Sequence, residues 1–439
     1  MILSVAERGE TVMHFDYMTW FVRKFNAFFL TIFVLLIPFS GLQKHPHFDA
    51  DHSADKTNYP FVMMHGFLSW NEDAKNGAYK GMPYWGMFNG DCLRGYREAG
   101  FLCVAPTVDA GGSNWDRACE VYAKLTGTRV DYGKAHAEAC GHDRYGEDYT
   151  GKAMLDKWDS SHKINLIGHS QAGKDVIVLA SLLDAGSKAE RDATTDGSLS
   201  GLFTGGKGNW IHACVGASAV YNGTSLFSGK QAIRDTKNAL QKQIDETKYL
   251  PLGVRTLVKD YWEVRAATLA SMTSGNVADP DTAIYDMTPD NAIAMNKDLV
   301  TAKDIYYFSA VFEDVAYSKV DGHIMMDRTV ADPVIGALTP VLGRTNTVTD
   351  GGIALDESWQ MNDGMVNTIS QRAPFGAPTN DLSGPASPKI AHEAKRGVYN
   401  ILPTIHATHM WIIGDFVRPQ LDGPTYLMHI MEMINALEK

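Results

Sequence analysis

The sequence predicts an α/β fold in which a mostly parallel sheet is covered by helices on both faces. Helical patterns such as Cys92–Glu98 and Ala118–Leu125 alternate with short apolar runs that have the length of buried strands. Strands that alternate with helices favour parallel pairing, because the crossover helices then cover the sheet. Glycine-rich turns at Gly111-Gly112 and Gly205–Gly208 indicate insertions between these units. The apolar runs are Phe61–Met64, Phe101–Ala105, Ile164–Ile167, Trp210–Gly216 and Ile305–Val311.

The composition limits the class of protein. Among 439 residues, 40 are Lys or Arg and 51 are Asp or Glu, which gives a formal net charge of −11. A broadly acidic chain without basic clusters argues against nucleic acid as a partner. Hydrophobic residues make up 45% of the chain, as expected for a globular enzyme. The sequence leaves the oligomeric state open.

The N-terminal residues predict export. Arg23 and Lys24 precede the apolar run Phe25–Leu42, which has two small residues near its end. This order is typical of a signal peptide, but the run is also about long enough to anchor the chain in a bilayer. We therefore expect a secreted protein or, as the alternative, a membrane-anchored protein whose catalytic part lies outside the cytosol. The expected division is a signal peptide or anchor at 1–42, a linker at 43–59 and one catalytic domain at 60–439.

The segment Ile164–Gly173, INLIGHSQAG, predicts a nucleophilic serine. An apolar run ends at Gly168, Ser170 follows, and Lys174–Leu183 has apolar residues at helical spacing. A strand, a sharp turn and a helix in this order form a nucleophile elbow, which exposes a serine hydroxyl. The G-x-S-x-G pattern lacks its last glycine, because Ala172 occupies that position. The alternative is a serine in an ordinary turn between a strand and a helix.

The other members of a serine hydrolase site follow in the order serine, acid, histidine that α/β-hydrolases use. Asp363 lies in an Asn-Asp-Gly turn and is the expected acid, with Asp356 as its competitor. His409 lies just before the apolar stretch Met410–Ile413 and is the expected base, with His406 as its competitor. A nucleophilic serine needs these residue types, because a base must take its proton and a carboxylate must orient that base.

Two backbone N–H groups are expected to stabilise the oxyanion that forms during the reaction. One belongs to Gln171, the residue after the nucleophile. The other belongs to Phe67, in the loop after the first predicted strand. Gly66 would let this loop approach a substrate carbonyl closely, because it has no side chain.

A second group of polar residues lies in Ser113–Tyr149 and includes the potential metal ligands Asp116, His136 and His142. The two histidines are six residues apart, so they do not share one helix face as in H-E-x-x-H. Two histidines and carboxylates could hold zinc with a further ligand from elsewhere in the chain. Hydrogen-bonded or surface histidines are the alternative. The five cysteines form no C-x-x-C pair, and we assign no disulfide bonds.

These motifs resemble those of the secreted bacterial lipases of the thermoalkaliphilic, zinc-containing group. The resemblance runs from about residue 60 to near the C-terminus, and it is almost continuous over Ser113–Gly146. It implies an α/β-hydrolase fold with a mostly parallel central sheet, an inserted zinc-binding region and a helical lid. The other similar segments are Val62–Phe67, Tyr84–Gly86, Ile164–Gly173, Asp281–Ala292 and Asn362–Ser370.

The resemblance assigns roles residue by residue. It implies Ser170 as the nucleophile, Asp363 as the acid and His409 as the base, with the oxyanion donors at Phe67 and Gln171. It also implies a zinc site that is separate from these residues, so the metal is expected to be structural and to clamp the insertion to the sheet. The positions that match the zinc ligands are Asp116, His136, His142 and Asp260.

Besides Ala172, two departures from the family bear on function. Trp411 stands where the family has a calcium-binding glutamate, and an indole cannot bind a hard cation, so we do not predict calcium. The expected lid helix, Gln231–Glu246, is mostly polar and has a narrow apolar stripe. Its large apolar residues are Ile233, Leu240 and Ile244.

The sequence therefore predicts a serine carboxylester hydrolase of lipase type that cleaves acylglycerol or related lipid esters at a lipid interface. The alternatives are a phospholipase or acyltransferase with the same triad, and a non-catalytic lipid-binding protein with the hydrolase fold. The narrow stripe of the lid helix favours weak interfacial activation and shorter or more polar acyl esters, because such a helix exposes little apolar surface to an interface.

Overall fold

The computed structural model describes residues 45–73, 83–247, 279–317, 324–326, 338–414 and 421–439. The expected signal peptide or anchor and the predicted metal ligand Asp260 lie outside these residues. Within the described ranges, every helix is too short or too polar to cross a membrane.

Fifteen strands occur among the described residues, and seven of them form the central sheet. Numbered along the chain, they are β1 Phe61–Met64, β2 Cys103–Val104, β3 Arg129–Asp131, β4 Tyr145–Asp148, β5 Ile164–His169, β6 Ile211–Ala217, β7 Tyr306–Ala310, β8 Phe312–Glu313, β9 Val315–Tyr317, β10 Ile324–Met326, β11 Thr347–Val348, β12 Ala354–Leu355, β13 Thr379–Asp381, β14 Tyr399–Ile401 and β15 Ile405–His406. The central sheet has the order β13-β14-β7-β6-β5-β1-β2, and each neighbouring pair is parallel. The predicted α/β fold with a parallel sheet is confirmed.

Eleven α-helices and several short 3₁₀ segments connect these strands in the described part of the chain. The α-helices are α1 Cys92–Glu98, α2 Asn114–Thr126, α3 Lys134–Cys140, α4 Ala172–Ala185, α5 Lys188–Ala193, α6 Lys230–Thr247, α7 Ala283–Met287, α8 Pro289–Asn296, α9 Thr339–Gly343, α10 Thr368–Arg372 and α11 Asp422–Asn435. The 3₁₀ segments are Met87–Asn89, Gly201–Thr204, Gly208–Trp210, Ser225–Phe227, Glu357–Trp359, Pro388–Glu393 and Trp411–Ile413.

The sheet has a hydrophobic core on each face, because successive side chains of a strand point to opposite sides. On β1, Phe61 and Met63 pack in one core, which also contains residues of α1 and α11. Val62 and Met64 pack in the other core with residues of α2 and α4. All four side chains of β1 are fully buried, which explains why the sequence of this strand is a continuous apolar run and not an alternation of apolar and polar residues.

The parallel sheet places the predicted site residues at one edge. The loop with Phe67 follows β1, and Ser170 follows β5, its neighbour in the sheet. The paired residues Met64 and Gly168 lie in register at the ends of these two strands. Ligand sites of open α/β sheets form at this carboxyl edge, where the loops after the strands meet.

The chain before β1 packs on the domain. Phe48 stacks on Tyr96 of α1 with ring centroids 4.6 Å apart, and it is buried. Asp51 N–H donates to Glu432 of α11 over 2.8 Å. The described part of the expected linker is therefore held against both helices. All five cysteines are free thiols.

Candidate active site and metal cluster

Ser170 lies in the sharp turn between β5 and α4. Its φ is 62°, in the left-handed region, where a residue with a side chain is strained and must be held by its surroundings. Its N–H donates to the carbonyl of Ala217 at the end of β6 over 2.9 Å. A Cβ at Gly168 would lie 2.0 Å from the carbonyl oxygen of Ala172, so the turn requires glycine there. The strand, turn and helix of the predicted elbow are therefore present.

The core accommodates the alanine that replaces the last glycine of the elbow. Ala172 is fully buried and packs in the core between α4 and the sheet. The close approach of α4 to the turn after β6 falls one residue later, because a Cβ at Gly173 would lie 2.4 Å from Ala219 Cβ. In this chain, Gly173 rather than residue 172 is the position that needs glycine.

Asp363 and His409 form a buried pair. His409 Nδ1 lies 2.8 Å from Asp363 Oδ2, and the backbone N–H of His409 donates to the carbonyl of Asp363 over 2.8 Å. The other carboxylate oxygen of Asp363 accepts the N–H groups of Met365 and Val366, at 3.0 and 2.8 Å. These bonds fix the carboxylate with one oxygen facing the imidazole, which leaves Nε2 as the ring nitrogen that could act as a base.

The two competing residues have other surroundings. Asp356 is exposed, and its carboxylate accepts the N–H of Ser358 over 3.0 Å. His406 is exposed on β15, where it lies in register with Glu313 of β8. The structure therefore brings together the acid and the base that the sequence favours.

The loop after β1 lies against the elbow. A Cβ at Gly66 would come within 2.8 Å of Ser170 Cβ, so only glycine permits this approach. Leu68 has a φ of 53°, which turns the chain sharply after Phe67. The backbone of Phe67 thus lies beside the closest approach between the two segments, as the predicted oxyanion donor requires.

A buried arginine, which the sequence analysis did not single out, fixes this loop to two helices. Arg117 of α2 is fully buried, and its Nε donates to Asp175 of α4 over 2.7 Å. Its two terminal nitrogens donate to the carbonyls of Asp109, at 2.8 Å, and of His65. A buried ion pair leaves no periodic pattern in a sequence, so no signal there could have identified it.

Several side chains that could hold a metal ion lie together in the inserted region. Ligand atoms of His136, Cys140, His142 and Asp281 are all within 4.8 Å of one another. The carboxylate of Asp116 adjoins them, with Oδ1 at 3.1 Å from His136 Nε2. The two oxygens of Asp281 lie 3.4 Å from His136 Nε2 and 3.5 Å from His142 Nε2. Three of the four predicted ligands are therefore neighbours.

The donor atoms of this cluster fit a cation. Asp116 Oδ1, His136 Nε2 and His142 Nε2 are buried, and apart from the close approaches within the cluster they have no hydrogen-bond partner among the described residues. His142 Nδ1 lies 2.9 Å from the carbonyl of Asp143, so Nδ1 carries the proton and Nε2 keeps its lone pair. Burial opposes the charged form of His136, yet the carboxylates of Asp116 and Asp281 raise the pKa of His136 to about 9. Such a negative surrounding favours a bound cation.

Asp281 is the further carboxylate that the structure brings to the cluster, whereas the predicted ligand Asp260 lies outside the described residues. Ser113 Oγ donates to Asp281 over 3.0 Å and fixes it beside α2. A signal for this residue was present in the sequence, because Asp281 is the first residue of the similar segment Asp281–Ala292. Glu190 supports the site from α5 by accepting the N–H of His136 over 2.8 Å.

The expected lid segment forms a helix, α6, that begins on an apolar cluster. Ile233 is buried in this cluster together with Phe227 and Val366, and Phe67 packs at its border. Thr236 faces the same way and donates to the carbonyl of Leu226 over 3.2 Å. The exposed positions among the described side chains are polar or charged, namely Lys230, Gln231, Arg234, Asp235, Lys237, Asn238, Gln241 and Asp245. The described part of α6 thus has one large buried apolar side chain.

Comparisons with known proteins agree on one family. Residues 57–422 match the family model described as "Lipase-like, C-terminal domain". A lipase of Staphylococcus hyicus is 29% identical over 373 residues, which are 82% of this chain and 54% of that protein. The chain spans about half the length of the curated relatives it matches.

Two solved structures are also similar to this chain, and the similarity covers most of the length of each. EstA from Clostridium botulinum is 30% identical, with a TM-score of 0.70 over 87% of this chain and 88% of that chain. Lipase 1 from Pelosinus fermentans is 28% identical, with a TM-score of 0.66 over 85% of this chain and 98% of that chain.

Proposed function

Because the chain belongs to the lipase-like C-terminal domain family, in agreement with the predicted resemblance, we propose that it is a serine carboxylester hydrolase of lipase type. Its substrates are acylglycerols or related lipid esters. One observation carries the proposal, namely the buried pair of His409 and Asp363, with 2.8 Å between Nδ1 and Oδ2, at the same edge of the sheet as the strained Ser170.

In the proposed acylation step, Ser170 Oγ forms a bond to the ester carbonyl carbon while its proton passes to His409 Nε2. The N–H groups of Phe67 and Gln171 hold the oxyanion of the tetrahedral intermediate. The intermediate then expels the alcohol, which takes the proton from His409, and Ser170 keeps the acyl group as an ester. Asp363 keeps the proton of His409 on Nδ1 and stabilises the imidazolium that exists between the attack of Ser170 and the release of the alcohol.

In the proposed deacylation step, His409 takes a proton from water as the water oxygen bonds to the acyl carbon. The second tetrahedral intermediate releases the carboxylic acid, and the proton returns to Ser170 Oγ. The strained turn supports this role, because a left-handed backbone at the serine between a strand and a helix is the conformation of a nucleophile elbow.

We further propose that the metal cluster holds zinc through Asp116, His136, His142 and Asp281. Two imidazoles and two carboxylates are a ligand set that zinc accepts, and the orphaned donor atoms support a cation at this place. When bound, the metal would supply a structural cross-link among α2, α3 and the segment before α7. The proposed catalytic steps do not pass through it.

The proposed location is outside the cytosol, either secreted or anchored. The support is the basic flank and apolar run of residues 25–42.

Replacement of the nucleophile tests the proposed function. We expect Ser170→Ala to lower kcat on a water-soluble activated ester by about 10⁴-fold or more, because the hydroxyl is the attacking group. A fluorophosphonate probe should label the unaltered protein once per chain and should not label the variant. Retained hydrolysis by Ser170→Ala, or labelling at another residue, contradicts the proposal.

Ser218→Ala is the matched control. Ser218 also follows a sheet strand, is fully buried, and has a φ of 50°. Its Oγ has no hydrogen-bond partner among the described residues, so its removal leaves no partner unsatisfied. We expect this variant to react with the probe and to hydrolyse the ester at the rate of the unaltered protein.

A further inference from the structure

A chain of buried hydrogen bonds runs from the loop after β1 to the backbone of the proposed base. Gly66 N–H donates to Tyr84 Oη over 2.9 Å. Tyr84 Oη lies 2.6 Å from His169 Nδ1, and His169 Nε2 lies 2.9 Å from the carbonyl oxygen of His409. The residues Tyr84 and His169 are 3% and 1% exposed, so water does not compete for these bonds.

The acceptor at one end of this chain and the burial of His169 together assign the protons along it. The carbonyl of His409 can only accept, so His169 Nε2 must carry a proton. Burial, with the nearby charge of His409 as a smaller cause, lowers the pKa of His169 well below its ordinary value, so the ring is neutral and Nδ1 is bare. Tyr84 therefore accepts from Gly66 and donates its own proton to His169.

This chain of hydrogen bonds adjoins a group with a proposed catalytic role at both of its ends and in its middle. Gly66 precedes Phe67, the oxyanion donor, and His169 precedes Ser170, the nucleophile. The far end is the backbone of His409 itself. We propose that Tyr84, acting through His169, is a positioning residue that sets the distance between the oxyanion loop and the base. This inference rests on the function proposed above.

The same bonds keep positive charge away from the base. The rings of His169 and His409 have centroids 4.8 Å apart. His409 becomes an imidazolium during acylation, and a second positive charge at that distance would oppose it. The hydroxyl of Tyr84 occupies the lone pair of His169 at which that second proton would bind.

Tyr84→Phe removes the hydroxyl and leaves both Gly66 N–H and His169 Nδ1 without their partner. The matched control is Tyr96→Phe, because Tyr96 is equally buried and its hydroxyl donates to the carbonyl of Pro424 over 2.8 Å, away from the elbow. Tyr84→Phe deletes two buried hydrogen bonds and Tyr96→Phe deletes one. A purely structural role therefore predicts a loss of stability for both variants, larger at position 84, and no loss of chemistry per titrated site for either.

The measurement is kcat and KM on a water-soluble activated ester, per active site titrated with a fluorophosphonate, together with inhibition by an alkyl boronic acid. The boronate forms a tetrahedral adduct that needs the oxyanion loop and the base together, whereas KM reports ground-state binding. We expect Tyr84→Phe to lower kcat by about 10–100-fold and to weaken the boronate by a similar factor. KM should stay within about twofold, because uniform binding is untouched. Tyr96→Phe should change none of the three by more than about twofold.

The proposal is overturned if Tyr84→Phe keeps kcat per titrated site and boronate affinity, or if both variants lose them equally. A second measurement needs no folded variant at position 84. The ¹⁵N shifts of histidine-labelled full-length protein should show His169 neutral, with the proton on Nε2, and a charged ring or the other tautomer overturns the proposal as well. Failure of the proposed function gives a different result, because the unaltered protein would then not react with the fluorophosphonate at Ser170.

Discussion

His409 contacts Asp363 twice, through its ring nitrogen Nδ1 and through its backbone N–H, each over 2.8 Å. The side-chain contact orients the imidazole, and the backbone contact joins the two loops that carry the residues. The pair is therefore positioned as one unit, although 46 residues separate its members in the sequence.

We expect Asp363→Asn to lower kcat by about 10³–10⁴-fold with a much smaller change in KM. An amide has nearly the shape of the carboxylate, but it can donate to His409 Nδ1 and so favours the tautomer whose Nε2 carries the proton. That tautomer cannot accept the proton of Ser170. The measurement is the kinetics of an activated ester, per site titrated with a fluorophosphonate.

Asp356→Asn is the control for this experiment, because Asp356 was the competing acid and lies exposed in its own turn. The kcat of the Asp356→Asn variant should equal that of the unaltered protein. A large loss at position 356 together with none at 363 would contradict the assignment of the acid.

The metal cluster gives a prediction that separates two residues. We expect Asp281→Asn to lose bound zinc on elemental analysis and to lower Tm, because Asp281 faces both His136 and His142. The unaltered protein should lose the same stability when a chelator removes its metal, and Asp281→Asn should then respond little to the chelator.

The control variants are Asp279→Asn and Asp260→Asn. Asp279 lies two residues from Asp281 and accepts its N–H over 3.2 Å, so it tests for a local disturbance of the backbone. Both controls should keep about one zinc per chain. Loss of zinc from Asp260→Asn, with zinc kept by Asp281→Asn, would instead support the ligand that the sequence predicted.

The fold could be predicted where burial alone decides the pattern. β1 and α1 have the predicted bounds, and β5 extends the predicted run by two residues to His169. The two strands at the far edge, β13 and β14, were missed because each has three residues and a polar centre. Asn400 of β14 is fully buried, and its amide donates to the carbonyls of Tyr307 and Lys395. A polar residue satisfied in this way interrupts the apolar pattern on which the prediction rests.

The site could be predicted in part for a related reason. Ser170 and His409 lie next to apolar strands and turns, which give each a recognisable local sequence. Asp281, Arg117 and Tyr84 act through contacts with residues far away in the sequence, and such contacts appear only when the chain is folded. The resemblance to a family identified the segments that contain these residues, but spacing alone did not indicate their roles.

The elbow predicts different effects on kcat for substitutions at the neighbouring positions 172 and 173. Ala172→Gly should cost about 1 kcal/mol of unfolding free energy and leave kcat unchanged, because it removes one methyl and adds backbone freedom. Gly173→Ala should cost about 1–3 kcal/mol, since its Cβ would lie 2.4 Å from Ala219 Cβ and would push α4 from the turn after β6. It should also lower kcat, because α4 begins next to Ser170. Urea unfolding and titrated kinetics measure both effects, and equal results for the two variants would contradict this account.

The buried ion pair should matter more than an exposed one. We expect Asp175→Asn to cost about 3–5 kcal/mol, because it leaves the charge of Arg117 buried without its partner. Asp381→Asn breaks an exposed contact with Arg372, because the side chain of Asp381 is 70% exposed and that of Arg372 is 41% exposed. This variant should change the free energy of unfolding little. Urea unfolding of both variants is the measurement, and a small cost at position 175 would contradict the role given to the pair.

The narrow apolar face of α6 predicts weak interfacial activation. Ile233 is the large apolar side chain buried in its described part, and the exposed positions of that part are polar or charged. Opening this part of the helix would therefore expose little apolar surface to a lipid interface. The rate on a short-chain triacylglycerol should therefore rise smoothly through the solubility limit of the substrate. Lys237→Leu adds a leucine one turn after Ile233 and should introduce a step at that limit, whereas Lys188→Leu, on the exposed surface of α5, should not. A sharp rise in the rate of the unaltered protein when the substrate emulsifies would contradict the prediction.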